Sequence, residues 1–240
     1  MPMSTRLSVN INKVALIRNA RGSNLPDLVS VAQDCERFGA QGITVHPRPD
    51  ERHVRYDDIP LLKSVVKTEF NMEGNPNRRF LDLVLRNRPH QCTLVPDAPD
   101  ALTSDTGWDT VAERDFLTDV ISELKSAGIR TSIFLDPDPT MIDGAVQVGA
   151  DRIELYTGAY AKNYVKDQNA AIESFIKTAE EATAAGLGIN AGHDLNLDNL
   201  QYFQECIPNL LEVSIGHALI TDALYYGLQN VIQMYLQKLS

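Results

Sequence analysis

Short runs rich in β-branched residues alternate with segments of helical periodicity along almost the whole chain. Each run is bounded by Gly, Pro or Asp, which is typical of β-strands. Eight such runs occur, at residues 7–12, 42–46, 69–74, 91–96, 130–136, 152–158, 186–193 and 211–218. Strand, helix, strand repeated about eight times predicts an α/β fold in which parallel strands close into a (β/α)8 TIM barrel.

Apolar residues recur at helical spacing in most of the connections between these runs. The clearest examples are residues 28–40, 78–89, 112–128, 170–186 and 223–239. Gly39, Gly128 and Gly186 stand where three of these helices would end, a position that glycine commonly occupies. The 240 residues contain no Pro-, Gly- or Ser-rich linker, and a typical barrel has ~250 residues. We therefore expect residues 1–240 to form a single (β/α)8 barrel domain.

The charge and hydrophobicity of the chain limit the binding partners and the cellular location that we expect. The chain carries 32 acidic and 22 basic residues, and its formal charge of -10 would repel a nucleic-acid backbone over most of the surface. The first residues do not resemble a secretory signal, and no apolar run is long enough to span a bilayer. We expect a cytoplasmic protein that binds neither nucleic acid nor membrane.

Three of the five histidines lie at the ends of predicted strands. His46, His193 and His217 close the runs GITVH, GLGINAGH and LLEVSIGH. In a parallel barrel the carboxyl ends of all strands open onto one face, which we call the mouth, and chemistry takes place there. An imidazole suits that position because it exchanges protons near neutral pH. His90 precedes its strand instead, and we interpret it as a structural residue at the opposite face.

The run that begins at His46, HPRPDERH, combines side chains for proton exchange and for phosphate binding. Its two prolines keep the backbone stiff and extended. Arg48 offers a planar fork suited to phosphate, and Arg52 and His53 follow it. We interpret the segment as a general base beside an anion clamp, and the alternative is a solvated charged loop.

Glu73 closes the third predicted strand in the run FNMEG. A carboxylate that points into a partly apolar mouth loses solvation, which raises its pKa toward the range useful for a base. The alternative is a salt-bridged residue at the rim of the barrel.

Two Gly-His pairs, Gly192-His193 and Gly216-His217, follow the seventh and eighth predicted strands. Barrels often bind phosphate at these positions through backbone N–H groups, and glycine lets a ligand approach the main chain closely. The two pairs together indicate a ligand that carries phosphate.

Amide and cationic side chains follow the first predicted strand. Alternation places Asn10 and Asn12 on the same side of that strand, so both amides face the pocket if that side is the interior. Lys13 comes next, Arg18 and Arg21 follow in the run IRNARG, and we expect Lys13 and Arg21 to lie near the pocket. The mouth therefore gathers cations although the whole chain is acidic, which favours an anionic substrate.

Three long connections, residues 47–58, 97–109 and 159–169, follow the second, fourth and sixth strands and would lie at the mouth. Long loops in such places are often lids or binding loops. Residues 97–109 contain Thr103 and the single tryptophan, and they are our candidate for a mobile lid. The alternative is an ordinary surface loop.

Several well-known sequence patterns are absent. The chain lacks the HExxH, GxGxxG, GxxxxGK[ST] and GxSxG patterns, which disfavours zinc hydrolases, nucleotide-binding enzymes and serine hydrolases. The cysteines are far apart and outside any CxxC pattern, so we expect neither disulfides nor a zinc site, but small buried residues, at Cys35, Cys92 and Cys206. What remains is proton-transfer chemistry on phosphorylated carbon compounds.

An ordered set of motifs covers nearly the whole chain: VNINK, RNARG, GITVHPRPDERH, NMEG, LVPD, ELYTG, NAGHDL and IGHALI. Together they resemble the pyridoxine 5'-phosphate synthase family of the deoxyxylulose-dependent vitamin B6 pathway. The resemblance implies a (β/α)8 barrel with extra helices that assembles as a homo-octamer, a tetramer of dimers. It also implies a transferase that condenses 3-amino-2-oxopropyl phosphate with 1-deoxy-D-xylulose 5-phosphate, closes the ring, and releases pyridoxine 5'-phosphate, phosphate and water.

The resemblance assigns roles to individual residues. His46 and Glu73 become the proton acceptors and His193 the proton donor. The resemblance assigns the binding of the deoxyxylulose phosphate to Arg48, His53 and Thr103. It assigns the binding of the amino-oxopropyl phosphate to Asn10, Arg21, Gly216 and His217. Because protein N–H groups and cations suffice to bind phosphates, we expect neither a metal nor an organic cofactor.

The chain departs from the family pattern at three substrate-binding positions. Many members have Asp-His where this chain has Asn12-Lys13, so contacts with the sugar phosphate are expected to differ. Many members have Gly at the position of Asp194. A carboxylate there favours a protonated His193 but would repel a phosphate if it pointed inward.

Two other functions stay open at this point. One is a different barrel enzyme that acts on a phosphorylated sugar, such as an epimerase or an aldolase, although no lysine lies well inside a predicted strand. The other is a barrel that binds a phosphorylated metabolite without turning it over. The presence of acid, base and cation positions together counts against simple binding.

Overall fold

Eight parallel strands close the barrel that the sequence predicts. The computed structural model describes residues 5–98, 101 and 103–240. Within that part of the chain each strand pairs in parallel with the next, and the last pairs with the first, which confirms the (β/α)8 barrel. The strands are β1 (Arg6–Asn10), β2 (Gly42–Val45), β3 (Glu69–Gly74), β4 (Gln91–Leu94), β5 (Arg130–Leu135), β6 (Arg152–Tyr156), β7 (Gly188–His193) and β8 (Leu210–Ile215).

Helices surround the barrel, and β1, β6 and β8 are each followed by two of them, which supplies the extra helices. The described helices are α1 (Asn12–Asn19), α2 (Leu28–Arg37), α3 (Asp58–Val65), α4 (Arg78–Asn87), α5 (Arg114–Ser126), α6 (Ile142–Gln147), α7 (Gly158–Tyr164), α8 (Gln168–Ala184), α9 (Leu200–Cys206), α10 (His217–Tyr226) and α11 (Leu228–Lys238). Asp27, Asn77 and Asp167 accept hydrogen bonds from first-turn N–H groups and so fix the starts of α2, α4 and α8.

Six strands end one to three residues earlier than the sequence pattern predicts, and at β1 and β8 this changes the element to which a candidate residue belongs. Strand β1 ends at Asn10, because its side-chain oxygen accepts a hydrogen bond from the backbone N–H of Asn12 and turns the chain. Asn12 and Lys13 therefore open helix α1. Strand β8 ends at Ile215, and His217 is the first residue of α10. The prediction that Asn12 and His217 belong to strands was wrong, although both residues follow a strand end directly.

The predicted helix 223–239 is two helices. Gly227 separates α10 from α11 with φ 79° and ψ 146°, a backbone conformation that is essentially restricted to glycine. Apolar periodicity runs on across this break, so the pattern alone did not reveal it.

The interior of the barrel is polar, and the hydrophobic core lies between the strands and the helices. Alternate strand residues such as Leu7 and Val9 are buried in that core. The residues between them face the barrel axis, where they reach strands that are not their neighbours. Thr93 of β4 donates to Glu154 of β6 at 3.4 Å. This polar axis ends at the mouth, where the substrate-binding positions were predicted.

Several smaller predictions can be compared with the structure. Cys35 and Cys92 are fully buried, as expected, whereas Cys206 is only half-buried. His90 lies at the amino end of β4, where its Nδ1 accepts a hydrogen bond from the backbone N–H of Phe70 at 3.0 Å, which confirms the structural interpretation. None of the described helices combines the length and apolar character needed to cross a lipid bilayer.

Candidate active site

The ends of β2, β3 and β7 bring three acid/base side chains to the mouth. His46 directly follows β2, Glu73 is the second-last residue of β3, and His193 is the last residue of β7. The last residue of β1 and the first residue of α1 contact two of them. Asn10 Nδ2 donates to Glu73 Oε2 at 3.4 Å, and Asn12 Oδ1 accepts from the backbone N–H of His46 at 2.9 Å. Both amides thus lie at the mouth, Asn10 as a residue of β1 and Asn12 through the turn that begins α1.

Three buried carboxyl groups of the strands have raised pKa values: Glu73, Glu154 and Glu212. Burial raises the pKa of Glu73 well above its ordinary 4.5, and the nearby carboxylates of Glu154, Asp97 and Glu212 raise it further. Burial also raises the pKa of Glu154 to about 7. Like charges in a poorly solvated space share a proton, since ionising both is costly. Glu154 can therefore hold a proton near neutral pH, and at Glu73 the same two causes favour the protonated form over the charged form.

His46 and His53 are kept neutral by their surroundings. His46 is 6% exposed, and burial, followed by the charge of Arg48, lowers its pKa well below 6.5. Burial and Arg48 likewise lower the pKa of His53 to about 4. The ring of His53 accepts the backbone N–H of Val54 on Nδ1 at 2.9 Å, so its proton lies on Nε2. A neutral His46 is in the protonation state that a general base requires.

Arg48 is bound by the loop between β4 and α5. Its Nη2 donates to Asp97 Oδ2 at 2.6 Å and its Nη1 to the carbonyl oxygen of Ala101 at 2.8 Å. Ser104 Oγ donates to the same Asp97 oxygen at 2.6 Å. The cation predicted to bind phosphate is thus buried and paired with a carboxylate.

The same loop reaches across to His193. Thr103 Oγ1 and His193 Nε2 share a hydrogen bond of 2.7 Å in which either atom can donate. The segment 97–109 thus contacts the mouth on the β2 side and on the β7 side, as a lid would. Residues 99, 100 and 102 of this predicted lid lie outside the described residues, and its mobility stays a prediction.

His193 has an unusual backbone conformation. Its φ is 100°, a region that non-glycine residues rarely adopt and that is found most often at functional sites. Asp194 Oδ2 lies 3.1 Å from His193 Nδ1, and this contact lowers the pKa of Asp194. The ring of Tyr156 packs edge-on against the imidazole, with centroids 5.2 Å apart. The departure of this chain at Asp194 therefore places a carboxylate beside the predicted proton donor.

The two Gly-His pairs differ in structure. A Cβ at Gly192 would collide with the carboxylate of Glu154, so glycine lets Glu154 pack beneath the end of β7. A Cβ at Gly216 would lie 3.1 Å from the side chain of Asn10. Gly216 caps the amino end of α10, and His217 is exposed in its first turn. Free N–H groups at such a helix end favour an anion.

The cations predicted after the first strand do not all converge on the mouth. Arg18 is buried and paired with Asp58 at 2.7 Å, so it is not available to a substrate. Arg21 is exposed in the loop between α1 and α2, and Lys13 is half-buried in the first turn of α1. The guanidinium of Arg18 is neutralised by Asp58, and the cations expected near the mouth were Lys13 and Arg21.

Sequence reasoning missed three residues at the mouth: Asp97, Glu154 and Tyr156. The last two carry a recognisable signal, since every second residue of β6, the run RIELY, is polar or amphipathic while Ile153 and Leu155 are apolar. That alternation places Glu154 and Tyr156 on the barrel axis. Asp97 lies in a loop, where no periodicity points to a position.

Comparison with known proteins identifies a family and relatives that match nearly the whole chain. The sequence profile of the family described as "Pyridoxal phosphate biosynthesis protein PdxJ" matches residues 7–240. The chain is 61% identical over 235 residues to a pyridoxine 5'-phosphate synthase of Cytophaga hutchinsonii, covering 98% of this chain and 99% of the relative. It is 60% identical over 231 residues to that of Bacteroides fragilis, covering 96% and 98%.

Solved structures with the same fold are far more distant in sequence. A tryptophan synthase structure from M. tuberculosis superposes with a TM-score of 0.66 at 13% identity, covering 98% of this chain and 93% of that one. A phosphoribosylanthranilate isomerase from Thermotoga maritima gives 0.61 at 10% identity, covering 98% and 97%. At this identity the likeness shows the barrel fold alone.

Proposed function

This chain belongs to the pyridoxal phosphate biosynthesis protein PdxJ family, and we propose that His46, Glu73 and His193 are the acid/base groups of its reaction. Its relatives are pyridoxine 5'-phosphate synthases, and the chain is an enzyme of vitamin B6 synthesis with this activity. The observation that carries the proposal is the position of all three side chains at the carboxyl ends of β2, β3 and β7, which open onto one barrel mouth.

The proposed substrates are 3-amino-2-oxopropyl phosphate and 1-deoxy-D-xylulose 5-phosphate. Arg48, His53 and Thr103 would bind the sugar phosphate, with Asn12, Lys13 and Asp194 beside them. Arg48 would exchange Asp97 for the phosphate, because both are anions that fit its fork. The second phosphate would bind at the amino end of α10. The second phosphate would therefore contact Asn10, Gly216 and His217. Arg21, which lies in an exposed loop, is assigned to the same phosphate.

The proposed chemistry follows from the protonation states at the mouth. An ammonium group must lose a proton before its nitrogen can attack the ketone of the sugar phosphate, and Glu73 and His46 are the acceptors. His193 then donates a proton to the departing oxygen, which leaves as water. Elimination of phosphate and closure of the ring complete the condensation. Glu154 lies near enough for its charge to raise the pKa of Glu73, and with its own pKa raised to about 7 it is our candidate to exchange a proton with Glu73.

We further propose that the chain assembles as a cytoplasmic homo-octamer, a tetramer of dimers. Support comes from the family resemblance and from large apolar side chains that are exposed on the single chain, namely Leu25, Leu224, Tyr225 and Tyr226. Apolar exposure of this kind is typical of association surfaces. Light scattering on the purified protein tests this, since a monomer at micromolar concentration would contradict it.

A turnover assay tests the proposed function. The purified chain is incubated with both phosphates, and the ultraviolet absorption of a pyridine ring is followed together with the release of free phosphate. Both signals should rise together and should need both substrates. A folded sample that produces neither would refute the proposal, and phosphate release from one substrate alone would favour a different barrel enzyme.

A further inference from the structure

A buried polar cluster lies behind the loop that follows β2. Arg18 is 2% exposed and donates to both carboxylate oxygens of Asp58, at 2.7 and 2.9 Å. Its Nε donates to Asn19 Oδ1 at 3.1 Å, which fixes the orientation of that amide. We call these three residues, two at the end of α1 and one at the start of α3, the α1 clamp.

The α1 clamp holds the backbone of the segment that carries His53. Arg18 Nη2 donates to the carbonyl oxygen of His53 at 3.2 Å. Asn19 Nδ2 donates to the carbonyl oxygens of Arg52 and His53 at 3.0 and 2.8 Å, and it lies 3.5 Å from that of Glu51. Three successive carbonyl groups therefore point toward α1, and the backbone at His53 is held in one orientation.

Two further points indicate that the α1 clamp fixes the backbone conformation of residues 51–53. Glu51 has φ 54°, a left-handed conformation that a non-glycine residue keeps only when surrounding contacts over-determine it. A buried ion pair such as Arg18 with Asp58 adds little net stability, because the cost of desolvation offsets the attraction. We therefore explain the ion pair of Arg18 and Asp58 by its effect on the backbone of residues 51–53, and not by a contribution to the stability of the fold.

We infer that Arg18 and Asn19 are positioning residues, which act through the backbone of residues 51–53 to place the imidazole of His53 for the phosphorylated sugar. The inference rests on the proposed function, because that is what assigns His53 to the substrate. The ring is tied to the same segment, since its Nδ1 accepts the N–H of Val54. A rotation of this backbone would move the Nε2 edge of the ring and leave Glu73 in place.

Steady-state kinetics with both substrates test the inference on Arg18→Lys and Asn19→Asp. The first variant keeps a positive charge opposite Asp58 but loses the fork that reaches the carbonyl of His53. The second has the same shape and replaces the donor by an acceptor. We expect each to raise KM for 1-deoxy-D-xylulose 5-phosphate about tenfold, with KM for 3-amino-2-oxopropyl phosphate unchanged and kcat altered by less than about twofold.

Two further variants calibrate the result. His53→Ala should raise the same KM, since it removes the group that the clamp positions. Arg37→Lys is the matched control, because Arg37 forms an exposed pair with Asp34 on α2, and it should change neither KM. Thermal unfolding of each variant shows whether the fold is kept, and Asn19→Asp decides the question if Arg18→Lys does not fold.

The outcomes separate the inference from the proposed function. If His53→Ala raises KM for the sugar phosphate while Arg18→Lys and Asn19→Asp do not, the inference is overturned and the proposed function stands. If His53→Ala leaves both KM values unchanged, the assignment of His53 fails and the inference falls with it. Equal rises in both KM values, or a large fall in kcat, would indicate general structural damage and would also overturn the inference.

Discussion

Glu73 has a different chemistry from a carboxyl group in water because of what surrounds it. Burial disfavours its charged form, and so do the carboxylates of Glu154 and Asp97. Asn10 donates to one of its oxygens at 3.4 Å, a contact that fixes the side chain without neutralising it. A carboxyl group in this setting is a stronger base once it is ionised, and the ammonium of a substrate would favour that ionisation.

Glu73→Gln should keep the fold and remove most of the turnover. The amide has the size of the carboxyl group and can still contact Asn10, but it cannot accept a proton. General acid/base catalysis contributes about 10²–10⁴-fold to a rate, so we expect kcat to fall by at least about a hundredfold. Rapid measurement of product formation, with circular dichroism to verify the fold, provides the check.

Glu180→Gln is the control for that substitution, because Glu180 is exposed on α8 and should behave like the parent. An active Glu73→Gln enzyme would show that the proton acceptor is another group.

Acid should destabilise the enzyme through His53. The pKa of His53 is 6.5 in its ordinary state and about 4 in the fold, owing first to burial and then to Arg48. As pH falls through this window the unfolded chain takes up a proton that the folded chain does not, so stability present above pH 6.5 is lost toward pH 4. His53→Gln should make the loss smaller, as measured by urea unfolding over a pH series.

His217→Gln provides the comparison for the acid series, since that side chain is exposed at the start of α10. An equal loss of stability in the parent and in His53→Gln would mean that His53 does not contribute to acid unfolding.

At the scale of the elements, the sequence predicted which strands exist better than where they end. Alternation and β-branched content identify all eight described strands, because both properties follow from the local pleat. The ends depend on single side chains. The side-chain oxygen of Asn10 accepts a hydrogen bond that turns the chain. The sequence pattern does not indicate this turn, because the alternation continues through Asn12.

The junction of α10 and α11 depends on the backbone of Gly227. With φ 79° and ψ 146°, it adopts a conformation that costs other residues about 1–3 kcal/mol. No heavy atom lies within 4 Å of a Cβ built there. Gly227→Ala should therefore destabilise the protein by about 1–3 kcal/mol through the backbone alone. Urea unfolding with an unchanged m value is the expected result.

Gly227→Asn should also be less stable than the parent. Asparagine tolerates the left-handed helical region but not this combination of φ and ψ. An alanine variant as stable as the parent would contradict this prediction, because it would show that the conformation at position 227 does not require glycine.

At the scale of the whole molecule, the site depends on closure of the barrel. Sequence reasoning could place His46, Glu73 and His193 at strand ends, because the carboxyl ends of parallel strands share one face. It could not place Asp97 against Arg48, or Arg18 against Asp58, because these pairs join separate loops and helices. Neither could it show that Glu154 of β6 contacts Thr93 of β4, since only a closed barrel brings those strands together.

The buried carboxyl groups on the barrel axis should lower the free energy of unfolding at alkaline pH. A substitution of Glu154 allows this effect to be measured. Burial raises its pKa from 4.5 to about 7, and Thr93 and His193 offset this only in part. Between these two values the folded chain keeps a proton that the unfolded chain has lost, so stability declines as pH rises through the window and then levels off. Glu154→Gln removes the ionisable group and keeps the shape.

We therefore expect Glu154→Gln to be more stable than the parent at about pH 8, by roughly 1 kcal/mol or more, with the difference shrinking toward the ordinary pKa of 4.5. Glu181→Gln, at an exposed position of α8, should follow the parent at every pH. Denaturant unfolding across the pH range measures both. A constant difference between Glu154→Gln and the parent would mean that Glu154 does not ionise in this window.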